Sequence, residues 1–296
     1  MRLFVVFFAF LLTLGTASAD YVALYWENDL LTLDNEDRWY TDGWRATYGI
    51  GDTRTVMVGQ NMYTPSDISV ELETPIGNDR PYAGWLYVGY GQWWDKPMDL
   101  PFGRLYTEVL AGPVGEYSFA EETQKWIHER FENQEPMGWA SQIEDDFGIQ
   151  TYNKYQVNAR IMWPWLGADA HVGVSAGNIK MGAEAGFTVK AGSGIAGSLA
   201  FDRITIKDIK PPRFIYASVI PQYVLDDAFL PSYYQEDGTT LEGPGHKEFV
   251  TDFIVGINWG FKSGFDMTYQ WTYRTEQFEA QTQPSEFGAV GMRYRF

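Results

Sequence analysis

Phe265–Arg274 reads Phe-Asp-Met-Thr-Tyr-Gln-Trp-Thr-Tyr-Arg. Its odd positions, Phe265, Met267, Tyr269, Trp271 and Tyr273, are apolar or aromatic, and its even positions, Asp266, Thr268, Gln270, Thr272 and Arg274, are polar. A period of two marks a strand with two unlike faces. The same rhythm sets Tyr155, Val157, Ala159, Ile161 and Trp163 against Gln156, Asn158, Arg160 and Met162. It also closes the chain, where Val290, Met292, Tyr294 and Phe296 alternate with Gly291, Arg293 and Arg295. A soluble barrel alternates too, so the character of the two faces decides. Asp266, Arg160, Arg274 and Arg293 put charge on the polar face, which suits a hydrated lumen better than a dry core. Aromatic residues close the apolar face near strand ends, as the two interfaces of a membrane require.

Working outward, the rhythm predicts about twelve strands, over residues 21–29, 41–51, 55–63, 82–94, 104–113, 149–163, 168–178, 182–192, 214–225, 249–260, 263–275 and 286–296. An even number suits a closed bacterial membrane barrel, and the alternate aromatic ending on Phe296 resembles the terminal strand of bacterial outer-membrane proteins. The fold class expected is therefore all-β, a transmembrane antiparallel β-barrel. Long connections are expected on the outer side and short ones in the periplasm. Residues 1–19 carry Arg2, an apolar run and Ala17-Ser18-Ala19, the pattern of a cleaved secretory signal peptide. Residues 20–296 are read as one barrel domain in the outer membrane.

Composition narrows the chemistry. With 22 Lys plus Arg against 39 Asp plus Glu the formal charge is −17, which argues against nucleic acid as a partner. The absence of cysteine excludes disulfides, thiolate metal sites and a cysteine nucleophile. Only His128, His171 and His246 are present, so a multi-histidine metal centre is hard to build.

One segment breaks the strand rhythm. Residues 117–131 predict a helix, with a Ser118–Glu121 capping box, Phe119, Thr123, Trp126 and Ile127 at helical spacing, and Glu121–Lys125 and Lys125–Glu129 as charge pairs. Gln124 and His128, four apart, share its non-apolar face, either as a solvated face or as two groups held over a site at the barrel rim. Asn28-Asp29 closes the first strand and Tyr40-Thr41-Asp42-Gly43 opens the second, so both face one rim. Their hard oxygens suit calcium rather than zinc, and equally suit an Asx-capped turn. Asp79–Trp85 is a dense cluster holding Arg80. It is expected at that rim only if the third strand descends and an extra segment rises again. Gly173–Gly177 matches Gly-x-Ser-x-Gly, but no helix pattern follows Ser175, so chance or close strand packing explains it. His171 lies near Ser175, similar to the His-x-Ser pair of outer-membrane phospholipase A, yet Gly173 occupies the serine position.

Seven motifs together resemble the outer-membrane lipid A 3′-O-deacylases (LpxR). They are Glu27-Asn28-Asp29, Tyr40-Thr41-Asp42-Gly43, Gly59-Gln60-Asn61-Met62-Tyr63-Thr64-Pro65, Asp79-Arg80-Pro81-Tyr82-Ala83-Gly84-Trp85, Gly112-Pro113-Val114-Gly115, Gln124-x-x-x-His128, and Gly138-Trp139 with Gln142. The resemblance implies a twelve-stranded barrel with a site near the outer-leaflet rim. It implies calcium-dependent removal of the 3′-linked acyloxyacyl group, with lipid A or lipopolysaccharide as substrate among outer-membrane lipids. His128 would be the general base for water and Asp29 a metal ligand. Asn28, Thr41 and Gln124 would complete the polar site, and Arg80 would be the family's cationic residue. A monomer is expected. The family's usual second-strand motif is similar to Tyr-Thr-Asn-Gly, and here Asp42 replaces the Asn. A phospholipase and a non-enzymatic porin are the competing readings.

Overall fold

A computed structural model describes residues 19–32, 38–51, 53–71, 78–95, 97, 103–160, 163–195, 211–236 and 239–296. Residues 1–18, where a signal peptide is expected from sequence, lie outside the described residues. The strands are β1 (Ala19–Asn28), β2 (Trp39–Ile50), β3 (Arg54–Thr64), β4 (Ala83–Asp95), β5 (Arg104–Val114), β6 (Asp146–Arg160) and β7 (Leu166–Gly177). They continue with β8 (Lys180–Ser193), β9 (Arg213–Asp227), β10 (Tyr233–Glu236), β11 (Thr239–Glu242), β12 (Phe249–Gly260), β13 (Phe265–Arg274) and β14 (Ser285–Arg295). β10 and β11 form a separate hairpin, and the other twelve close into one antiparallel barrel in which β1 pairs with both β2 and β14. Closure leaves no strand edge unpaired, which a lipid environment demands. No helix among the described residues is long and apolar enough to cross a membrane.

Tyr21 pairs with Arg295, so both chain ends lie at one rim. The opposite, outer rim receives residues 29–38, 65–82, 115–145, 228–248 and 275–284. Two connections break the expected order of lengths. Asn178 and Ile179 alone join β7 to β8 at the outer rim, while residues 194–212 join β8 to β9 at the terminal rim. β2 runs down and β3 runs up, so residues 79–85 reach the rim of Asn28 and Thr41 directly, without the extra rising segment expected from sequence.

The two-faced reading holds on β13. Asp266, Thr268 and Thr272 are buried inside, while Met267 and Tyr269 are exposed on the lipid side. On β6, Gln156 lines the lumen and Tyr155 and Val157 do not, whereas the side chains of Asn158 and Arg160 lie outside the described residues. β6 ends before Trp163, which sits in the following turn and stacks on Trp165 at 5.4 Å. The interior holds a polar cavity of about 410 Å³. Its charges are paired: Arg274 donates twice to Asp252, at 2.7 and 2.8 Å, and Arg45 reaches Glu108 at 3.2 Å. Asp266 binds Arg293 and Arg295 near the terminal rim. At the outer rim aromatic rings pack together, with Tyr63 against Phe229 at 4.7 Å and Tyr40 against Phe287 at 4.8 Å.

Candidate active site

Alternation places the site on the outside of the barrel wall. Tyr25, Glu27, Gly43, Arg45, Met57 and Asn61 line the lumen, so the residues between them point outward. Across β1 to β4 the ladder aligns Asn28, Asp42, Met62 and Gly84 in one outward row. The row below is Trp26, Trp44, Gln60 and Leu86, and the next is Leu24, Ala46, Val58 and Val88. The third row is wholly apolar, as a lipid-facing wall should be. The upper two carry carboxylate, amides and indoles, and Asn28, Asp42, Gln60 and Met62 are all buried. Something must cover them on the lipid side.

The cover is helix α1 (Ala120–Phe131) with residues 65–71, 78–82 and 132–142. Trp44 Nε1 donates to Gln60 Oε1 at 3.0 Å, and Gln60 Nε2 donates to the Ser118 carbonyl at 2.6 Å, which ties the start of the helix to the wall. A Cβ at Gly84 would meet Ser118 Oγ and Ala120 Cβ closer than 3.0 Å, so only glycine lets the helix sit there. Ala120 and Ile127 then pack with Met62, Ile68, Tyr82 and Trp139. Two expectations about this helix are corrected. Ser118 Oγ donates to the Gly115 carbonyl at 2.6 Å instead of capping the helix, because residues 115–118 form a separate 3-10 turn and the cap position is Phe119 in the left-handed region. The faces are also reversed. Gln124 and His128 are buried against the wall beside Ile127, while Trp126 and Phe119 are half exposed. Glu121 pairs with Lys125 at 2.7 Å as expected.

Each sequence-predicted residue takes a definite place. Asn28 Oδ1 accepts the Leu30 N–H at 2.8 Å and so caps the short 3-10 turn Asp29–Leu31. Its Nδ2 donates to Asp42 Oδ2 at 2.7 Å, beside Trp26 Nε1 at 2.6 Å. Asp29 is buried on that turn, and its Oδ2 accepts the Arg38 backbone N–H at 3.2 Å. A β-bulge between Tyr40 and Asp42 turns Thr41 towards Thr64, with the two hydroxyls 2.6 Å apart. Gln124 Oε1 accepts Trp139 Nε1 at 2.7 Å, while Gln124 Nε2 makes no hydrogen bond among the described residues. His128 Nδ1 meets the Gln134 carbonyl. A carbonyl only accepts, so Nδ1 carries a proton. His128 and Leu30, the neighbour of Asp29, line one cleft of about 320 Å³ with Ile68 and Asn133.

Arg80 stands apart from the outward rows. Its guanidinium lies 4.6 Å over the ring of Tyr63, at the mouth of the lumen. It is buried, and its Nε, Nη1 and Nη2 make no hydrogen bond among the described residues. Burial pulls it below its ordinary pKa, and Asp227 and Tyr63 act in the opposite sense. Ser175 lies within β7, opposite Tyr152 and Gly182, with no helix after it. His171 meets Glu184 at 3.1 Å in the lumen.

Among the described residues no three His, Asp or Glu side chains converge as a preformed metal cage. The donors available are the buried carboxylates of Asp29 and Asp42, the Thr41 hydroxyl and amide oxygens, a hard-oxygen set that fits calcium. Asp42, Gln60, Gly84 and Trp139 are parts of the site that sequence reasoning quoted inside motifs without giving them a task. The signal for Gln60 was present: a glutamine interrupts the outward apolar series Val56, Val58, Met62.

Residues 3–296 match the family model described as Outer membrane protein LpxR. No curated protein sequence matches the chain. Among solved structures, LpxR from Salmonella typhimurium is similar with a TM-score of 0.76 and 18% identity, over 93% of this chain and 100% of that one. The β-domain of the Bordetella autotransporter BrkA aligns over 94% of this chain and 100% of its own, with a TM-score of 0.46 and 10% identity. The NanC porin aligns over the same shares with a TM-score of 0.46 and 7% identity. A match along nearly the whole chain, on a closed barrel of twelve strands with a helix covering one outer wall, places this chain in the LpxR family of outer membrane proteins.

Proposed function

We propose that the chain is a lipid A deacylase that hydrolyses the 3′-O-linked acyloxyacyl ester with a His128-activated water and a calcium ion. The observation that supports this reading best is the position of the polar cluster. It lies on the lipid side of the wall, one row above Leu24, Ala46, Val58 and Val88, so a substrate reaches it from the leaflet and not through the lumen. The lumen itself is crossed by ion pairs, which speaks against a porin.

Within the site, the Gln134 carbonyl holds the Nδ1–H of His128, so Nε2 can take the proton of a water attacking the ester carbonyl. The proton then passes from Nε2 to the leaving alkoxide. Gln124, fixed through its Oε1 by Trp139, turns its Nε2 donor to the substrate. Asn28 holds the turn that carries Asp29, and Thr41 adds a hydroxyl oxygen. Asp29 would hold the calcium, with Thr41 and Asn28 as neutral oxygens beside it. Bound there, the ion would stabilise the negative charge that develops on the ester oxygen. Arg80, buried over Tyr63 at the lumen mouth, lies across the wall from this cluster and takes no part in the proposed step. Ser175 sits in β7, away from α1, which favours direct attack by water over an acyl-enzyme.

Incubation of the purified barrel with lipid A in mixed micelles tests the reading. Release of the acyloxyacyl acid in calcium, and none in chelator, is the expected result. Release of fatty acid from glycerophospholipid instead would make the chain a phospholipase, and release from neither would leave a non-enzymatic barrel.

A further inference from the structure

The buried side of α1 consists of Ala120, Gln124, Ile127 and His128. Trp126 on the helix and Phe119 at its cap are exposed over 50% and 54% of their surface, and Tyr117 in the preceding turn over 64%. Because the buried side rests on the outside of the barrel wall, the opposite side faces what surrounds the barrel. The level is fixed by the Gln60 bond to Ser118. Outward-facing Val58 and Val56 follow Gln60 along β3 at ~7 and ~13 Å, and Val88 pairs with Val58. The aromatic face thus continues the lipid-facing wall directly above its apolar band. Phe119 adds a second observation. It holds a left-handed backbone, φ 57°, which a bulky side chain disfavours, yet its ring packs into no core cluster of the fold. The exposed Glu122, Glu129 and Arg130 flank Trp126, so charged groups border the aromatic residues on this face.

We infer that the outward face of α1 is an interfacial anchor, with Phe119 and Trp126 seated in the outer leaflet and Tyr117 at its headgroup level. Aromatic residues favour that depth, where one end of the ring system is apolar and the other wet. The anchor holds α1 at the height of the acyl chains, so that the cleft beside His128 opens within the leaflet. The inference rests on the outer-membrane placement alone and not on the proposed hydrolysis.

The natural absence of cysteine makes the test direct. Phe119→Cys, Trp126→Cys, Glu135→Cys and Val88→Cys proteins are each labelled with an environment-sensitive fluorophore and reconstituted in vesicles. Quenching by nitroxide-labelled phospholipid is compared with quenching by aqueous iodide. Heat-modifiable migration verifies that each barrel is folded. The labels at 119 and 126 should follow Val88, with blue-shifted emission, loss of most fluorescence to the lipid nitroxide and little loss to iodide. Glu135 should show the reverse. Labels at 119 and 126 that follow Glu135 would overturn the anchor, and so would oxidation of the unlabelled Trp126→Cys protein to a disulfide dimer, which would assign the face to a second copy.

Discussion

Gly84 is the seat of α1, and replacing it isolates the helix from the barrel. An added Cβ would stand closer than 3.0 Å to Ser118 Oγ and Ala120 Cβ. Ordinary carbon contacts lie at ~3.5–4 Å, so the first turn of the helix has to retreat from the wall by about 1 Å. Overpacking of this kind costs roughly 1–3 kcal/mol, which a closed barrel of twelve strands can absorb. The displacement reaches Gln124 and His128 because both project from the same rigid helix. A misplacement of about 1 Å in a positioned group can lower turnover about 100-fold. Gly84→Ala should therefore lose turnover of that order on lipid A, measured as the acid released per folded barrel, with heat-modifiable migration preserved. Gly84→Val should be worse. Gly91→Ala is the control, since its Cβ would meet the tip of Tyr106 inside the lumen and leave the helix in place. Full turnover in Gly84→Ala, or equal losses in the two variants, would refute the coupling of helix seat to catalysis.

Asp29→Asn should raise the calcium concentration needed for half-maximal turnover or abolish activity, and calcium should restore a chelated wild type better than zinc does. Full activity in chelator would remove the ion from the scheme. Arg274→Met leaves Asp252 buried without its bidentate partner, and should lower unfolding stability by about 3–5 kcal/mol in a denaturant titration. A second change, Asp252→Leu, should restore most of that loss. Ser175→Ala should leave turnover unchanged, and an inactive Ser175→Ala protein would require a serine nucleophile on β7.

The barrel was legible because a period of two survives every tertiary influence: each wall residue must face either lipid or lumen. The polarity of the faces, read from Asp266 and Arg274 against Met267 and Tyr269, carried the rest. Loop lengths were legible only on average, since Asn178 and Ile179 suffice for a turn at the outer rim. The site was half legible. Asn28, Asp29, Thr41, Gln124 and His128 could be named, but their side of the wall could not. That depends on parity along β1 to β4 and on a bulge at Thr41, which shifts the register by one residue. The helix was misread for a related reason. An aromatic stripe in a soluble protein turns inward, whereas beside a bilayer Trp126 can turn outward and leave Gln124 and His128 to the protein side. Asp42 stands where the family's second-strand motif has an asparagine. In the fold its carboxylate holds the indole of Trp26 and the amide of Asn28, a task the family's asparagine oxygen can also perform.

The most direct test compares lipid A from cells expressing the wild type and His128→Ala by mass spectrometry. General base catalysis contributes typically ~10²–10⁴-fold, so loss of the imidazole should all but stop the reaction without disturbing the barrel. With equal amounts of folded protein in the outer membrane, wild-type cells should yield lipid A lacking the mass of its 3′ acyloxyacyl group, and variant cells should yield the intact molecule. Intact lipid A from wild-type cells, or equal stripping by His128→Ala, would contradict the account.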